Sequence, residues 1–192
     1  GAVRSIMTGG DYALVRSVEF FEDYTAFGRR QMAEAGIGPG DALVAITEGG
    51  ETSSVIGTVW QGLEAGAGVF FVFNNPAPIL AEHVERSRAV IRDPRVVCLD
   101  LASGPMAIAG STRMQATTLE ILVVGAALEL ALARLGAARG LALPGAPGSD
   151  PGAFYGGRLQ ALLDALARPA AVQALAGWTA FEEALYAGRG AV

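Results

Sequence analysis

The order of apolar and polar segments along the chain predicts an α/β fold. Three short apolar runs, at residues 42–46, 69–73 and 96–99, are typical of strands buried in a parallel sheet. Around them, capping residues and Gly or Pro stops bound segments predicted to be helices, and apolar residues at helical spacing support the first of them. The predicted helices cover residues 12–35, 52–65, 81–92, 111–135, 157–167 and 169–186. Because strands and helices alternate, we expect a parallel sheet with helices on both faces, and residues 6–8 are interpreted as the tail of an earlier strand.

The positions of proline and glycine predict how the chain is divided into domains and a linker. Residues 1–140 are predicted to form one domain. Residues 141–152 are rich in Pro and Gly, neither of which continues a helix, and are therefore predicted to be a linker. Residues 153–192 are predicted to form C-terminal helices that lead toward a possible second domain.

The loops that follow the predicted strands carry the candidate binding chemistry. In a parallel sheet the ligand crevice lies beyond the carboxyl ends of the strands. The loops there, at residues 47–54, 74–78 and 102–114, are rich in Gly, Ser, Thr or Asn. Backbone N–H groups and hydroxyls at a helix start favour an anion such as a phosphate. For the loop at residues 47–54, an ordinary capped helix start is the alternative interpretation.

Composition and charge narrow the function classes. The 192 residues are 52% hydrophobic, and 14 basic against 19 acidic residues give a net charge of −5. That balance argues against nucleic-acid binding, which needs a basic surface. The apolar stretch at residues 119–135 contains three charged residues, so we expect a buried helix and no membrane span, in a soluble cytoplasmic protein without a signal peptide. With one His and one Cys, neither a metal site nor a cofactor is expected.

Two charged residues stand out from their surroundings. In the predicted first helix, Glu22 projects between Val15 and Val18 on the apolar stripe. Partial burial would raise the pKa of such a carboxyl and suit it to acid–base catalysis, while an ion pair with Arg29 is the alternative. Arg113 lies near the start of a predicted helix, where a cation is unfavourable unless a ligand or an acidic group lies nearby; exposure at the surface is the alternative.

Four segments then resemble the sugar isomerase (SIS) domain family. Residues 45–52 (AITEGGET) resemble its signature, a strand followed by S-x-S-G-E-T. Residues 110–118 (GSTRMQATT) are similar to the G-S-[ST]-R-M-K-[AG]-G-T motif of the N-acetylmuramic acid 6-phosphate etherases and the glucokinase regulatory protein. Residues 18–23 (VEFFED) resemble V-E-x-x-E-D, and residues 74–76 (NNP) resemble a C-N-P loop. The similarity runs in order over residues 5–138.

The resemblance implies a three-layer αβα, flavodoxin-like fold that binds a sugar phosphate. It makes Glu22 one of two acid/base glutamates of an etherase-like lyase, in which one acid removes a sugar-ring proton and the other protonates the departing lactyl ether oxygen. Water then adds across the double bond. Together with the loop chemistry, it gives the candidate ligand-binding residues: Thr47, Glu48, Gly49, Gly50, Thr52, Ser53, Ser111, Thr112 and Arg113.

Departures from the family pattern leave alternatives open. Gly49 replaces a Ser of the signature, Glu51 an Arg and Gln115 a Lys. The family's first strand, its G-A-G-T-S-G-R loop and the segment D-A-S-E-C-P-P with the other glutamate are expected before residue 1. One alternative is a non-catalytic sugar-phosphate sensor similar to the glucokinase regulatory protein, with a possible protein partner. Another, disfavoured by residues 110–114, is a phosphosugar isomerase. A homodimer or a tandem pair of SIS domains is expected.

Overall fold

The computed structural model describes residues 3–16, 18, 20–108, 111, 114–141, 145 and 147–189. Its strands are β1 (Ala42–Ile46), β2 (Gly68–Phe73) and β3 (Val96–Asp100). Its helices are α1 (Thr25–Ala35), α2 (Ser53–Glu64), α3 (Ala77–His83), α4 (Glu85–Ile91), α5 (Met114–Ala138), α6 (Pro151–Leu166) and α7 (Pro169–Ala184). Short 3-10 turns lie at Asp11–Leu14 and Phe21–Asp23, and a π-helical turn at Leu185–Arg189 follows α7.

The three strands form a parallel sheet in the order β1-β2-β3, so the predicted α/β fold class is confirmed. The apolar runs predicted as strands match the observed ones to within one residue. In the register, Val44 lies opposite Phe70, and Phe70 lies opposite Val97. The architecture is consistent with the αβα SIS-like fold that the resemblance implied.

The main core lies between this sheet and the helices that connect its strands. Parallel crossovers are right-handed, and successive neighbouring strands therefore bring α2, α3 and α4 to the same face. Val59, Phe71, Phe73 and Val90 are fully buried there. On the opposite face Val44, Ile46 and Val97 remain 40–50% exposed.

Helix α1 begins much later than its hydrophobic periodicity predicted. The prediction of one helix over residues 12–35 is wrong, because Phe20 adopts a left-handed conformation (φ 65°) and Tyr24 is extended. Phe21 instead stacks on Phe27 with ring centroids 4.5 Å apart, which supports a turn at this point. Residues 6–8, predicted as the tail of a strand, are not in a strand.

A close contact between α1 and α2 positions the helix that follows β1. A Cβ added to Gly28 would lie 1.7 Å from the carbonyl oxygen of Ser54, and one added to Gly57 would lie 2.1 Å from that of Thr25. The two backbones therefore touch, which only glycine permits. Arg29 also donates to the Glu64 carboxylate at 2.7 Å across this interface.

The single helix predicted over residues 81–92 is two helices, α3 and α4, separated by Val84 in an extended conformation. The guanidinium group of Arg88 donates to the carbonyl oxygens of Ala81 and Glu82, both at 2.5 Å. These bonds satisfy carbonyls that the end of α3 leaves without a helical partner, and so they stabilise the break.

By contacts the chain divides into two compact units, Gly1–Gly125 and Ala126–Val192. The predicted division at residues 140 and 152 remains a prediction. In the second unit Tyr155 donates to Glu129 at 2.8 Å, and neither α6 nor α7 contains a buried residue.

Helix α5 is long and apolar enough to cross a membrane by length and composition, and very little of it is buried. The expectation of a buried helix is therefore wrong. Composition misleads here because it records how apolar a helix is and not what covers it.

Candidate functional site

A cavity of about 360 Å³ lies at the carboxyl ends of the strands. The three loops singled out in the sequence all contribute to its wall, and α5 closes it with Ala116. The lining residues are Glu48, Asn74, Asn75, Pro76, Ala102, Gly104, Pro105, Met106 and Ala116. The structure therefore brings these loops together, as the rule for parallel sheets predicts.

The loop between β1 and α2 turns sharply at Gly50. This residue has a φ of +74°, and a Cβ added to it would lie 2.5 Å from Leu80 and 3.1 Å from Phe73. Only glycine fits such a position without strain. The N–H of Gly50 donates to the carbonyl oxygen of Thr47 at 3.0 Å and closes the turn.

Side chains from the loop after β2 and from α4 hold the carbonyls of this turn. Asn75 Nδ2 donates to Gly49 O at 3.0 Å, buried Ser87 Oγ donates to Gly50 O at 2.7 Å, and Arg86 Nε donates to Glu51 O at 2.5 Å. These bonds fix the loop in one conformation. A preorganised loop binds a ligand without an additional cost of ordering.

The start of α2 is arranged differently from an ordinary capped helix. Thr52 occupies the N-cap position, but its side chain makes no capping hydrogen bond. Its hydroxyl instead lies 2.8 Å from that of Thr47. Since the first N–H groups of a helix have no intrahelical acceptor, those of α2, which starts at Ser53, face an anion favourably.

Two carboxyl groups meet beside the cavity. Glu48 Oε1 accepts from Thr117 Oγ1 at 2.6 Å, and Glu120 Oε1 accepts from Asn74 Nδ2 at 2.7 Å. Glu120 is 9% exposed, and burial raises its pKa to about 7, with the nearby charge of Glu48 acting in the same direction. The hydrogen bond from Asn74 opposes this rise in pKa. Glu120 therefore exchanges a proton near neutral pH, as a general acid or base does.

The sequence-predicted residues differ in where they lie relative to the cavity. Glu48 lines the cavity, and Thr47, Gly49, Gly50, Thr52 and Ser53 form the adjoining turn and helix start. Ser111 lies half-buried ahead of α5, and its N–H donates to Ile108 O at 3.1 Å. Thr112 and Arg113 lie outside the described residues.

Glu22 is exposed and lies in the 3-10 turn at Phe21–Asp23, so its expected partial burial on a helical stripe is wrong. Arg29, its proposed ion-pair partner, pairs with Glu64 instead. The catalytic assignment of Glu22 remains a prediction, carried by the resemblance alone.

Sequence reasoning missed Asn74 and Glu120 as a linked pair. Both carried a detectable signal, because Asn74 directly follows a fully apolar strand and Glu120 is an acid within a long apolar helix. By itself, an acid at this place in the sequence argues only against a membrane span. What the sequence lacked was the contact itself, which joins residues 46 positions apart. Among the described residues, no group of three or more His, Cys, Asp or Glu side chains is arranged to hold a metal.

Comparison with curated proteins finds relatives over about two thirds of the chain. It is 36% identical over 132 residues to N-acetylmuramic acid 6-phosphate etherase of Deinococcus radiodurans, covering 68% of this chain and 39% of that protein. It is 34% identical over 134 residues to the protein of the same name from Synechococcus elongatus, covering 70% of this chain and 40% of that protein. It is 28% identical over 135 residues to N-acetylmuramic acid 6-phosphate etherase 1 of Bacillus licheniformis, and the match covers 70% of this chain and 41% of that protein.

The chain thus spans about two fifths of the length of these relatives. No protein-family model matches the chain. The names of the relatives give no support to the regulator or isomerase alternatives.

Proposed function

We propose that this chain, which belongs to the SIS-type family of the N-acetylmuramic acid 6-phosphate etherases, supplies the phosphosugar-binding part of a carbon–oxygen lyase acting on an amino-sugar 6-phosphate. The observation that carries the proposal is the convergence of three polar loops on one cavity at the carboxyl ends of the sheet. The names of the relatives agree with the chemistry that this cavity offers.

The phosphate would bind at the start of α2. There the turn at Gly50 is fixed by side chains from the loop after β2 and from α4, and the helix presents N–H groups that its N-cap side chain does not use. A helix N-terminus stabilises an anion through these donors and through the positive end of its dipole.

The lyase step requires two proton transfers. A base removes a proton from the sugar ring, and an acid protonates the ether oxygen as lactate leaves. Glu22 is one of these two groups by resemblance, and Glu48, on the cavity wall, is a ligand-binding residue. Addition of water to the resulting double bond completes the reaction.

We further propose that the protein is cytoplasmic and dimeric. Support for a cytoplasmic location comes from the first turns of α5, where Glu120 binds Asn74 at the edge of the sheet rather than lying in lipid. Support for self-association comes from the apolar residues exposed on the sheet, which a second copy would cover.

The decisive test uses two sugar phosphates that differ in the lactyl ether. A full-length form of the protein is incubated with N-acetylmuramic acid 6-phosphate or with N-acetylglucosamine 6-phosphate, and melting temperature and released lactate are measured. Both ligands should stabilise the protein, by about 2.7 kcal/mol at 100 times Kd, and only the first should yield lactate. Absence of stabilisation by either ligand would refute binding. Stabilisation without lactate would refute the lyase assignment alone.

A further inference from the structure

The amide of Asn74 leaves one buried atom without a partner. This side chain lies on the cavity wall at the end of β2 and is 6% exposed. Its Nδ2 donates to Glu120, while its Oδ1 is fully buried and accepts no hydrogen bond from any described residue. Buried acceptors in native proteins nearly always have a partner, so an orphaned one on a cavity wall indicates a ligand group or an ordered water.

The ionised form of Glu120 sets the orientation of this amide. An ionised carboxylate only accepts hydrogen bonds, so while Glu120 is ionised it selects the NH₂ group of Asn74, as the structure shows, and turns the oxygen away from itself. The atom that remains for another partner is therefore an acceptor, and that partner has to be a donor.

The rest of the cavity wall also favours a donor over an anion. Among its described lining residues there is one acid, Glu48, and no Lys, Arg or His. Glu120 adds a second carboxyl group directly behind Asn74. A phosphate placed here would meet like charge and would gain no charge-assisted hydrogen bond.

We propose that this cavity is the subsite for the sugar ring, one of whose hydroxyl or amide N–H groups donates to Asn74 Oδ1, and that the phosphate binds outside it. The inference rests on the proposed function and adds the orientation of the ligand. The cavity volume of about 360 Å³ is at the lower end of the range for small-molecule sites, roughly 300–1,000 Å³, and so suits a single ring.

The protein-side test compares wild type with Asn74→Leu, which keeps the approximate size of the side chain and removes the acceptor. Calorimetric titrations with N-acetylglucosamine 6-phosphate and with inorganic phosphate give two dissociation constants for each protein. Asn74→Leu should weaken binding of the sugar phosphate roughly tenfold or more and leave the affinity for phosphate unchanged.

A ligand-side test on the wild type does not depend on how a variant folds. Cyclohexylmethyl phosphate has a six-membered ring and a phosphate but no ring hydroxyl or amide. It should bind roughly tenfold or more weakly than N-acetylglucosamine 6-phosphate. Equal affinities would overturn the subsite.

The outcomes separate this inference from the proposed function. Equal losses for the sugar phosphate and inorganic phosphate in Asn74→Leu would place the phosphate in the cavity, and no loss for either would mean that water alone satisfies Oδ1. Both results overturn the subsite but leave sugar-phosphate binding intact. If wild type binds no sugar phosphate, the proposed function fails, and the subsite fails with it.

Discussion

At the scale of single residues, Glu120 combines two conditions that rarely coincide. It is nearly buried, and a second carboxyl group, that of Glu48, lies close enough to repel its negative charge. Both effects favour the protonated form, and only the amide of Asn74 favours the charged one. The consequence is a carboxyl group that gains and loses its proton near neutral pH within a mostly apolar helix.

This protonation makes folding stability depend on pH. The pKa of Glu120 is about 7 in the folded protein against 4.5 for an ordinary Glu, so the folded state holds more protons than the unfolded state between these values. Its contribution is fully present below pH 4.5 and is lost as pH rises to 7, on the order of 3 kcal/mol in all. Glu120→Gln keeps an acceptor for Asn74 but has no titrating carboxyl. Urea unfolding of both proteins from pH 4.5 to 8 should show this slope in wild type alone, and parallel curves would contradict it.

The resemblance makes Glu22 a catalytic residue, whereas the structure shows it exposed in a 3-10 turn. If the proposed lyase role is right, Glu22→Gln should abolish lactate release and spare stabilisation by N-acetylmuramic acid 6-phosphate, because binding does not need its proton. Glu34→Gln is the matched control, since Glu34 is exposed on α1 in a surface ion pair. Its turnover should equal that of wild type. Unchanged turnover in Glu22→Gln would show that Glu22 is not an acid/base group of the lyase and has at most a structural role.

The residues of the site were predictable where chemistry follows position along the chain. The glycine and hydroxyl residues at 47–53 follow a strand, and that alone predicts a turn and a helix start at the sheet edge. The pairing of Asn74 with Glu120 was not predictable in this way, because it depends on how the first turns of α5 approach β2. Helical periodicity likewise placed Glu22 on a buried stripe, but local contacts among Phe21, Tyr24 and Phe27 produced a turn.

At the scale of elements, the contact between α1 and α2 positions the helix start on which phosphate binding depends. Gly28→Ala should destabilise the protein by about 2 kcal/mol or more, because its Cβ would overlap the Ser54 carbonyl and force the helices apart. Gly177→Ala is the control, since that α7 position has no atom within 4 Å of an added Cβ and should gain up to about 1 kcal/mol in helix propensity. Unfolding free energies measure both changes. A neutral Gly28→Ala would show that the two helices do not touch.

The strands were predictable and several helix ends were not, for a physical reason. Each strand is, to within one residue, a continuous apolar run bounded by turn residues, and these boundaries are visible in the sequence. The limits of α3 and α4 depend instead on Arg88, whose long side chain reaches back to carbonyls at the end of α3. Such a tertiary cap has no local sequence signature.

At the scale of the molecule, burial is distributed very unevenly. Val69, Phe71, Val72 and Phe73 of β2 are 0–2% exposed, which makes this strand the centre of the core. Helices α6 and α7 contain no buried residue, and the side chains of Trp178 and Phe181 are 70% and 61% exposed. Buried apolar area is what holds a segment folded, so the two regions should differ in local stability.

Hydrogen exchange should report this difference directly. Amides of β2 should exchange only through global unfolding and be the slowest of the chain, while those of α6 and α7 should open locally and exchange orders of magnitude faster. Repeating the measurement at tenfold lower protein concentration provides the control, because dilution does not change local opening within a single chain. If α7 were as protected as β2, Trp178 and Phe181 would have to be covered. Loss of that protection on dilution would identify a second copy of the chain as the cover, since only association depends on concentration.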